Sequence, residues 1–333
     1  MPDTPARPRV LLLHSILEPG PALLAEAAEV VAYPSNLPLT DQNIRKLAEG
    51  CAGIVSQVMD PISELVLQAP GLKIVSNVAV GYDNICGGDV SVATRHGVMV
   101  TNTPGVLDET TADFAWALMF AVARRVVQAD NFVRGGHFKG WAIDMLLGVD
   151  LHQATLGIVG IGRIGRAVAR RARGFDMRVL YSDPNPLLPD VERTMGVTRV
   201  DLPQLLAESD IVTLHVPGGT QTEHLIGAPQ LAMMRPTAIL INTSRGVVVD
   251  EAALADALKN HRLFGAGLDV YEREPAVHQG LLAAHNAVLA PHIASGSIRT
   301  RAEMSAVAAR NCVTGIRGGR PANLLNPEVL SKR

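Results

Sequence analysis

The sequence predicts an α/β protein made of two doubly wound parallel-sheet domains. Short apolar runs that are typical of buried strands alternate with amphipathic helical patterns along most of the chain. A Pro-Gly turn at residues 104 and 105 interrupts the alternation, and a second βα series starts at Ala154. Because parallel strands are joined by helical crossovers, this pattern predicts sheets that are covered by helices on both faces.

A long apolar helical pattern links the two series, from residue 109 to residue 134. Asp108 or Thr110 can cap its start, and the pair Gly135-Gly136 ends it. We therefore expect one long helix that leaves the first domain and enters the second, and a further amphipathic helix at 299–317. The predicted strands are 10–13, 53–56, 73–77, 99–102, 156–160, 178–181, 211–215, 238–242, 265–268 and 287–290.

Composition and charge argue against several classes of protein. With 47% apolar and 19% charged residues, the chain is typical of a packed globular protein and not of a disordered one. A net charge of −2 without a run of Lys or Arg predicts no nucleic-acid partner. No apolar run is long enough for a membrane span, and the run at 10–13 is too short for a signal peptide. The odd set Cys51, Cys86 and Cys312 lacks metal-ligand spacing, which predicts no metal site and favours the cytoplasm.

A glycine-rich turn opens the second βα series. The residues from Gly160 to Gly165 fit G-x-G-x-x-G, with Gly162, Arg163 and Ile164 between them. Such turns also occur for packing alone, but here a buried strand precedes the motif and a helix follows it. Gly160 would allow the tight turn, Gly162 the approach of a pyrophosphate, and Gly165 the packing of helix on strand. The helix N-terminus would then bind the phosphates of a dinucleotide.

An acid follows the next strand at close to the spacing expected of a ribose-binding carboxylate. Asp183 can accept hydrogen bonds from both ribose hydroxyls and would repel a 2′-phosphate. Its neighbours Pro184 and Asn185 supply no cation to offset that repulsion. The sequence therefore favours NAD (NADH), with NADP as the open alternative.

Three downstream segments each follow a predicted strand, and they contain Arg245, Glu274 and His292. Because the carboxyl ends of parallel strands meet at one crevice, these side chains are expected to converge. Reduction of a 2-keto acid needs a cation for the carboxylate and a proton donor for the ketone, roles that suit Arg and His. The alternatives are an arginine that caps a turn, a solvated loop acid and a structural histidine.

At these residues the sequence resembles the D-isomer-specific 2-hydroxyacid dehydrogenase family, and within it is most similar to glyoxylate/hydroxypyruvate reductases. The resemblance covers almost the whole chain. It rests on NVAVGYDNI at 77–85, TNTP at 101–104, the glycine motif, NTSRG at 242–246, LDVYEREP at 268–275 and PHIAS at 291–295.

The resemblance implies a role for each matching residue. Arg245 would bind substrate, His292 would be the acid/base, and Glu274 would tune His292. Loop 77–81, which begins at Asn77, would bind the substrate carboxylate through the amides of Val80 and Gly81. Asp269 would accept the nicotinamide amide. Further cofactor contacts are expected at Thr111, Pro217, Thr243, Ser244 and Ser295.

The resemblance also implies the domain organisation. A flavodoxin-like substrate domain would comprise residues 1–104 and 288–333, with a Rossmann domain for NAD inserted at 105–287. Members of the family are commonly homodimers. Trp141 is expected either to reach a neighbour's active site or to pack at the dimer interface. Many NADPH-using relatives carry Arg or Lys after the second nucleotide strand, where this chain has Asp183.

Other functions on this fold remain alternatives. A phosphoglycerate dehydrogenase would need cations for its phosphate, and residues 77–84 contain no Lys or Arg. A formate dehydrogenase-like enzyme is disfavoured because that branch lacks the acid at the position of Glu274. A dinucleotide-sensing corepressor, which binds without turnover, can retain the same three residues on this fold.

Overall fold

The computed structural model describes residues 7–332, with side chains through Ser331. The first six residues of the predicted substrate domain, and its last residue Arg333, lie outside the described part. Two compact units are present: one holds the residues up to Leu107 and those from Gly296 on, and the other is Asp108–Ser295. The boundaries expected from the sequence, 104/105 and 287/288, fall three residues earlier at the first crossing and eight residues earlier at the second.

The first unit contains a parallel sheet with the strand order β2-β1-β3-β4-β5. Its strands are β1 (Arg9–Leu12), β2 (Glu29–Ala32), β3 (Cys51–Ser56), β4 (Ile74–Asn77) and β5 (Met99–Thr101). Its helices are α1 (Gly20–Ala27), α2 (Asp41–Leu47), α3 (Glu64–Leu67), α4 (Val90–Arg95) and, from the far end of the chain, α13 (Ile298–Ile316).

Close packing brings the distant helix α13 onto this sheet. At Gly315 a Cβ would come within 2.5 Å of Ile74 Cδ1, so the helix backbone lies almost in contact with β4. Ser76 Oγ donates to Ala308 O at 2.8 Å, which satisfies a polar group that the same contact buries. The C-terminal helix is therefore part of the core of the first unit.

The second unit contains a parallel sheet with the strand order β12-β11-β10-β9-β6-β7-β8. Its strands are β6 (Thr155–Val159), β7 (Arg178–Ser182), β8 (Val197–Arg199), β9 (Ile211–Leu214), β10 (Ile239–Asn242), β11 (Gly265–Leu268) and β12 (Ala287–Leu289). Its helices are α5 (Asp108–Ala123), α6 (Val126–Arg134), α7 (Arg163–Ala172), α8 (Pro189–Met195), α9 (Leu202–Glu208), α10 (Ala228–Met233), α11 (Glu251–Lys259) and α12 (Gln279–Leu282).

Both strand orders are doubly wound, so the predicted fold class is confirmed. In the second sheet the chain leaves β6 toward β7 on one side and later returns to β9 on the other. A crevice opens at the carboxyl ends of strands where the winding reverses in this way, and ligands bind there. The glycine motif follows β6 and therefore lies at this position.

The prediction of a single long helix at 109–134 is wrong, because this segment forms two helices, α5 and α6. Between them Arg125 has a left-handed φ of 51°, and its Nε donates to Leu147 O at 2.6 Å. The carbonyl of Ala123 accepts the amide of Val149 at 2.9 Å and so ends the helical ladder. This competition comes from a distant segment, so helical periodicity alone does not reveal it.

Two short strands at sheet edges, β2 and β8, were not among the expected strands. Each has only one neighbour, and β8 is the three-residue segment Val-Thr-Arg. Such short edge segments lack the buried apolar run by which the other strands were recognised. Among the helices of the described residues, none combines the length and apolarity needed to cross a bilayer.

We predict that Gly165 is required for packing. A Cβ there would lie 2.1 Å from Gly160 O, so Gly165→Ala must push α7 away from β6. The expected loss is about 1–3 kcal/mol in the free energy of unfolding, measured by urea denaturation. Gly174→Ala is the matched control, because nothing lies within 4 Å of its Cβ position. Equal stability of the two variants would contradict the proposed contact.

Candidate active site

The glycine motif forms a tight turn between β6 and the start of α7. Gly160 has a φ of 92°, and a Cβ there would lie 2.7 Å from His215 O, so the turn requires glycine. Gly162 precedes the first turn of α7, is exposed, and has open space at its Cβ position. Arg163 and Ile164 then begin the helix, whose first amides lack intrahelical partners. The backbone here fits an approaching pyrophosphate.

Asp183 lies directly beside this turn. Its Oδ2 accepts the amide of Ile161, inside the glycine motif, at 2.9 Å, and its Oδ1 accepts the amide of Asn185 at 2.8 Å. Each carboxylate oxygen keeps further acceptor capacity after these bonds. The two backbone donors therefore fix the carboxylate next to the motif, in the position that the spacing suggested for a ribose-binding acid.

A second sharp turn, after β10, presents Arg245. The Oδ1 of Asn242 accepts both the amide of Ser244, at 3.0 Å, and its hydroxyl, at 2.7 Å. Its Nδ2 donates to Arg245 O at 2.9 Å. At Gly246 a Cβ would lie 1.8 Å from the carbonyl carbon of Tyr271, so the backbones of two neighbouring loops touch there. The polar Asn and the glycine thus explain the N-T-S-R-G pattern.

The side chain of Arg245 is half-buried and is packed from below by Gly218. A Cβ at Gly218 would lie 2.9 Å from Arg245 Cγ, which leaves no room for a larger residue. The Nη1 of Arg245 donates to Ser244 O at 2.8 Å. Sequence reasoning missed Gly218, although the adjacent pair Gly218-Gly219 after a predicted strand was an available signal.

Glu274 and His292 form the central pair of this site. Glu274 Oε2 lies 2.7 Å from His292 Nδ1, and their side chains are 16% and 25% exposed. Glu274 Oε1 accepts the amide of Tyr271 at 3.0 Å, so both carboxylate oxygens are engaged. Burial raises the pKa of Tyr271 to about 12, which keeps its hydroxyl protonated. That hydroxyl donates to Ala290 O at 2.9 Å and ties together the segments that carry Glu274 and His292.

The backbone of His292 is held in an unfavourable conformation by Asp269. His292 has a left-handed φ of 54°, which costs on the order of 1–3 kcal/mol for a residue other than glycine. Asp269 O accepts the His292 amide at 2.8 Å. The Asp269 carboxylate accepts the amides of Ile293 and Ala294, each at 2.7 Å. Burial raises the pKa of Asp269, and the two amide donors oppose that shift.

These contacts give Asp269 a structural function that the sequence did not suggest. Its side chain is fully buried, and both of its oxygens bind the turn that carries His292. A further hydrogen bond from the nicotinamide amide remains a prediction.

In the first unit, loop 77–81 has its carbonyls bound and two backbone amides without a protein acceptor in the described part of the chain. The carbonyls of Ala79, Val80 and Gly81 accept bonds from Thr103 N, Asn102 Nδ2 and Asn77 Nδ2, respectively. Within the described residues, the amides of Val80 and Gly81 donate to no protein acceptor. With its carbonyls bound and two amides available, the loop can bind a carboxylate.

A partly buried polar network, whose partners of Asn77 sequence reasoning missed, holds this loop. Asn77 Nδ2 also donates to Asn84 Oδ1 at 3.0 Å, and Asn84 Nδ2 donates to the carbonyl of Asp60 at 3.0 Å. The Asp60 carboxylate lies 2.7 Å from His14 Nε2. These partners come from three separate strand ends, so only Asn84, inside the NVAVGYDNI segment, carried a local signal.

The remaining predicted cofactor residues occupy varied surroundings in the second unit. Thr111 is buried in the first turn of α5, Ser295 is half-buried, and Pro217 is exposed. Thr243 Oγ1 is buried and has no hydrogen-bond partner among the described residues. An unpartnered buried hydroxyl beside the Arg245 turn fits a polar ligand atom. Together with the open space at Gly162, it indicates that the residues present suit a dinucleotide.

Comparisons with known proteins agree with this geometry. The family model described as D-isomer specific 2-hydroxyacid dehydrogenase, NAD binding domain, matches residues 116–294. A glyoxylate reductase of Korarchaeum cryptofilum is 50% identical over 330 residues, which cover 98% of each chain. This chain belongs to the D-isomer specific 2-hydroxyacid dehydrogenases. The resemblance seen in the sequence is confirmed, and the dehydrogenase is an oxidoreductase with an NAD-binding domain.

Solved structures support the same family. A crystal structure of a Thermus thermophilus protein has a TM-score of 0.87 and 41% identity, and it covers 95% of this dehydrogenase and 99% of that chain. An NADPH-dependent glyoxylate/hydroxypyruvate reductase from Sinorhizobium meliloti, in complex with NADP and malonate, has a TM-score of 0.85 and 34% identity. It covers 97% of this chain and 98% of its own.

We predict that Gly218 acts by positioning Arg245. Gly218→Ala should displace the Arg245 side chain and raise KM for the 2-hydroxy or 2-keto acid by about tenfold, the worth of one weakened charge-assisted hydrogen bond. A double-mutant cycle with Arg245→Ala tests the cause, because coupled residues are not additive. In the Arg245→Ala background, Gly218→Ala should have almost no further effect. A full effect in that background would show that Gly218 acts elsewhere.

Proposed function

We propose that this dehydrogenase reduces a small 2-keto acid of the glyoxylate/hydroxypyruvate class to the D-2-hydroxy acid with NADH. The observation that carries the proposal is the 2.7 Å pair of His292 and Glu274, in the same unit as the Arg245 turn. These residues follow β10, β11 and β12, which are adjacent strands of the NAD-binding domain. Relatives named glyoxylate reductase, such as the one from Thermococcus litoralis with 45% identity, support this substrate class.

Arg245 is the proposed substrate-binding cation. Its planar guanidinium matches the two oxygens of a carboxylate, and the Asn242 and Gly218 contacts fix its stem. The amides of Val80 and Gly81, in loop 77–81 of the first unit, stay predicted donors to a carboxylate. Charge-assisted bonds of this kind hold the 2-keto acid and polarise its carbonyl.

His292 is the proposed acid in reduction and the base in oxidation. Bound nicotinamide supplies the hydride that adds to the carbonyl carbon. Because Glu274 engages Nδ1, the other nitrogen, Nε2, remains to give its proton to the ketone oxygen. Glu274 orients the ring and stabilises the imidazolium form by its charge.

Asp183 is the proposed determinant of NADH over NADPH. Its carboxylate is fixed at the glycine turn by the amides of Ile161 and Asn185, where it can accept both ribose hydroxyls. The glycine turn and the start of α7 are proposed to bind the pyrophosphate. The cofactor site is proposed to include five further residues, which are Thr111, Pro217, Thr243, Ser244 and Ser295.

We further propose that the protein is a cytoplasmic homodimer. In the second unit, α6 and the segment after it expose a run of large apolar side chains, and such a patch is typical of a contact surface. Trp141 is 77% exposed, so both proposed roles, packing at the interface and reaching a neighbour's site, stay open. The three free cysteines fit a reducing compartment. The large apolar residues that are exposed on α6 and in the segment after it are Val126, Val127, Val133, Phe138, Trp141, Ile143 and Leu147.

The proposed function predicts turnover of glyoxylate and hydroxypyruvate with NADH, measured at 340 nm in a panel of 2-keto acids with both cofactors. Arg245→Ala should lower kcat/KM by about 100-fold, because charge-assisted bonds to the carboxylate are lost. The Kd of NADH should stay near the parent value. Arg262→Ala, which removes an exposed arginine paired with Asp256, is the control. No turnover of any 2-keto acid by the parent would refute the proposed function.

A second prediction concerns the proton. His292→Ala should lower kcat by about 100- to 10,000-fold, the usual contribution of a positioned acid/base. Glu274→Gln keeps the imidazole but removes the charge that stabilises its protonated form. Since reduction needs that form, its rate should fall off at lower pH than in the parent, and oxidation should extend to lower pH. The kcat/KM–pH profiles in both directions are the measurement. Unchanged profiles in Glu274→Gln would show that Glu274 does not act on His292.

A further inference from the structure

An arginine that the sequence did not connect with the cofactor lies beside the ribose-binding acid. Arg199 is the last residue of β8, the edge strand that pairs with β7. Its Nη2 donates to the backbone carbonyl of Asp183 at 3.1 Å. The strands pair so that Arg199 lies opposite Tyr181, two residues before Asp183. The guanidinium of Arg199 is therefore bound to the backbone of the same residue whose carboxylate is proposed to select NADH.

The two groups are fixed by separate contacts. The Asp183 carboxylate is bound by the amides of Ile161 and Asn185, whereas Arg199 is bound to the carbonyl of the same residue. The acid and the guanidinium therefore do not neutralise each other in a direct ion pair. Removing either one leaves the contacts that place the other.

The surroundings of Arg199 leave it able to bind an anion. Its side chain is exposed, and in the described part of the chain no carboxylate lies within ion-pair distance of it. The charged and titratable groups around it are Asp183, Tyr181 and Glu192, which accepts the Tyr181 hydroxyl at 2.5 Å. A guanidinium has five N–H donors, and its planar fork matches phosphate oxygens. One donor is used by the Asp183 carbonyl, so others remain.

We infer that Arg199 binds the 2′-phosphate of NADP(H). In dinucleotide-binding domains an acid after the second strand binds the 2′-hydroxyl, and a nearby arginine accommodates a 2′-phosphate. In this chain both groups meet at Asp183. Its side chain is the acid, and its backbone carbonyl binds the arginine. The preference for NADH is therefore a balance, in which Asp183 repels the 2′-phosphate and Arg199 attracts it. The inference rests on the proposed function, because it requires the adenosine ribose to lie at Asp183.

The test measures binding by titration calorimetry at constant ionic strength, since phosphate contacts weaken with salt. The probes are NADH, NADPH, 5′-AMP and adenosine 2′,5′-bisphosphate, which isolate the 2′-phosphate with and without nicotinamide. Arg199→Gln should weaken NADPH and the bisphosphate by about tenfold, the worth of a charge-assisted bond. The affinities for NADH and 5′-AMP serve as the internal reference. Arg193→Gln, which removes a nearby exposed arginine paired with Asp190, should change none of the four affinities.

A second pair of variants separates the two charges. Asp183→Asn keeps one acceptor oxygen, for one of the two backbone amides, and removes the negative charge that repels the 2′-phosphate, so it should strengthen NADPH binding by about tenfold. Adding Arg199→Gln to Asp183→Asn should cancel that gain. The cancellation supports the inference even if both single variants are somewhat less stable.

Three results would overturn the inference. Arg199→Gln could weaken NADH and NADPH equally, which would make Arg199 a support of the Asp183 loop only. The gain in Asp183→Asn could persist without Arg199, which would assign the 2′-phosphate to other groups. If the parent protein bound neither NADH nor 5′-AMP, the proposed function would fail and this inference with it; a parent that binds NADH separates the two failures.

Discussion

The buried carboxylate of Asp269 is the contact on which the geometry of the active site depends. It accepts the amides of Ile293 and Ala294, while the carbonyl of the same residue accepts the amide of His292. Three backbone hydrogen bonds that are all accepted by Asp269 can offset the free-energy cost of the left-handed φ at His292. With that turn fixed, the imidazole meets Glu274 at 2.7 Å. The contacts of Asp269 and the pair with Glu274 thus fix the backbone and the ring of His292 separately.

The neighbouring turns depend on close packing at two glycines. Gly246 has no room for a Cβ because the backbone of Tyr271 passes against it, and Gly218 has none because of the Arg245 stem. Tyr271 in turn donates its amide to Glu274 and its hydroxyl to Ala290. The parallel sheet brings the strand ends together, and these backbone contacts then hold the side chains in place. This is the pre-organisation that a positioned acid/base needs.

The extent to which sequence predicts this structure follows from the range of each contact. The glycine motif and the alternation of strands and helices are local patterns, so the fold class and the turn after β6 could be foreseen. The break at Arg125 could not, because it is caused by a segment more than twenty residues away. Likewise, Glu274 and His292 could be named from their segments, but the support of His292 by Asp269 depends on the meeting of two strand ends.

Asp183 and Arg199 show the same limit for specificity. An acid after the second nucleotide strand is visible in the sequence, and alone it indicates NAD. The opposing guanidinium reaches the same residue only because β8 pairs with β7, a register that the weak three-residue strand does not reveal. Specificity is a difference between two affinities, so a group that attracts the competing ligand counts as much as one that repels it. In our proposal the selectivity of this site depends on two charges, the carboxylate of Asp183 and the guanidinium of Arg199 that is bound to the backbone carbonyl of the same residue.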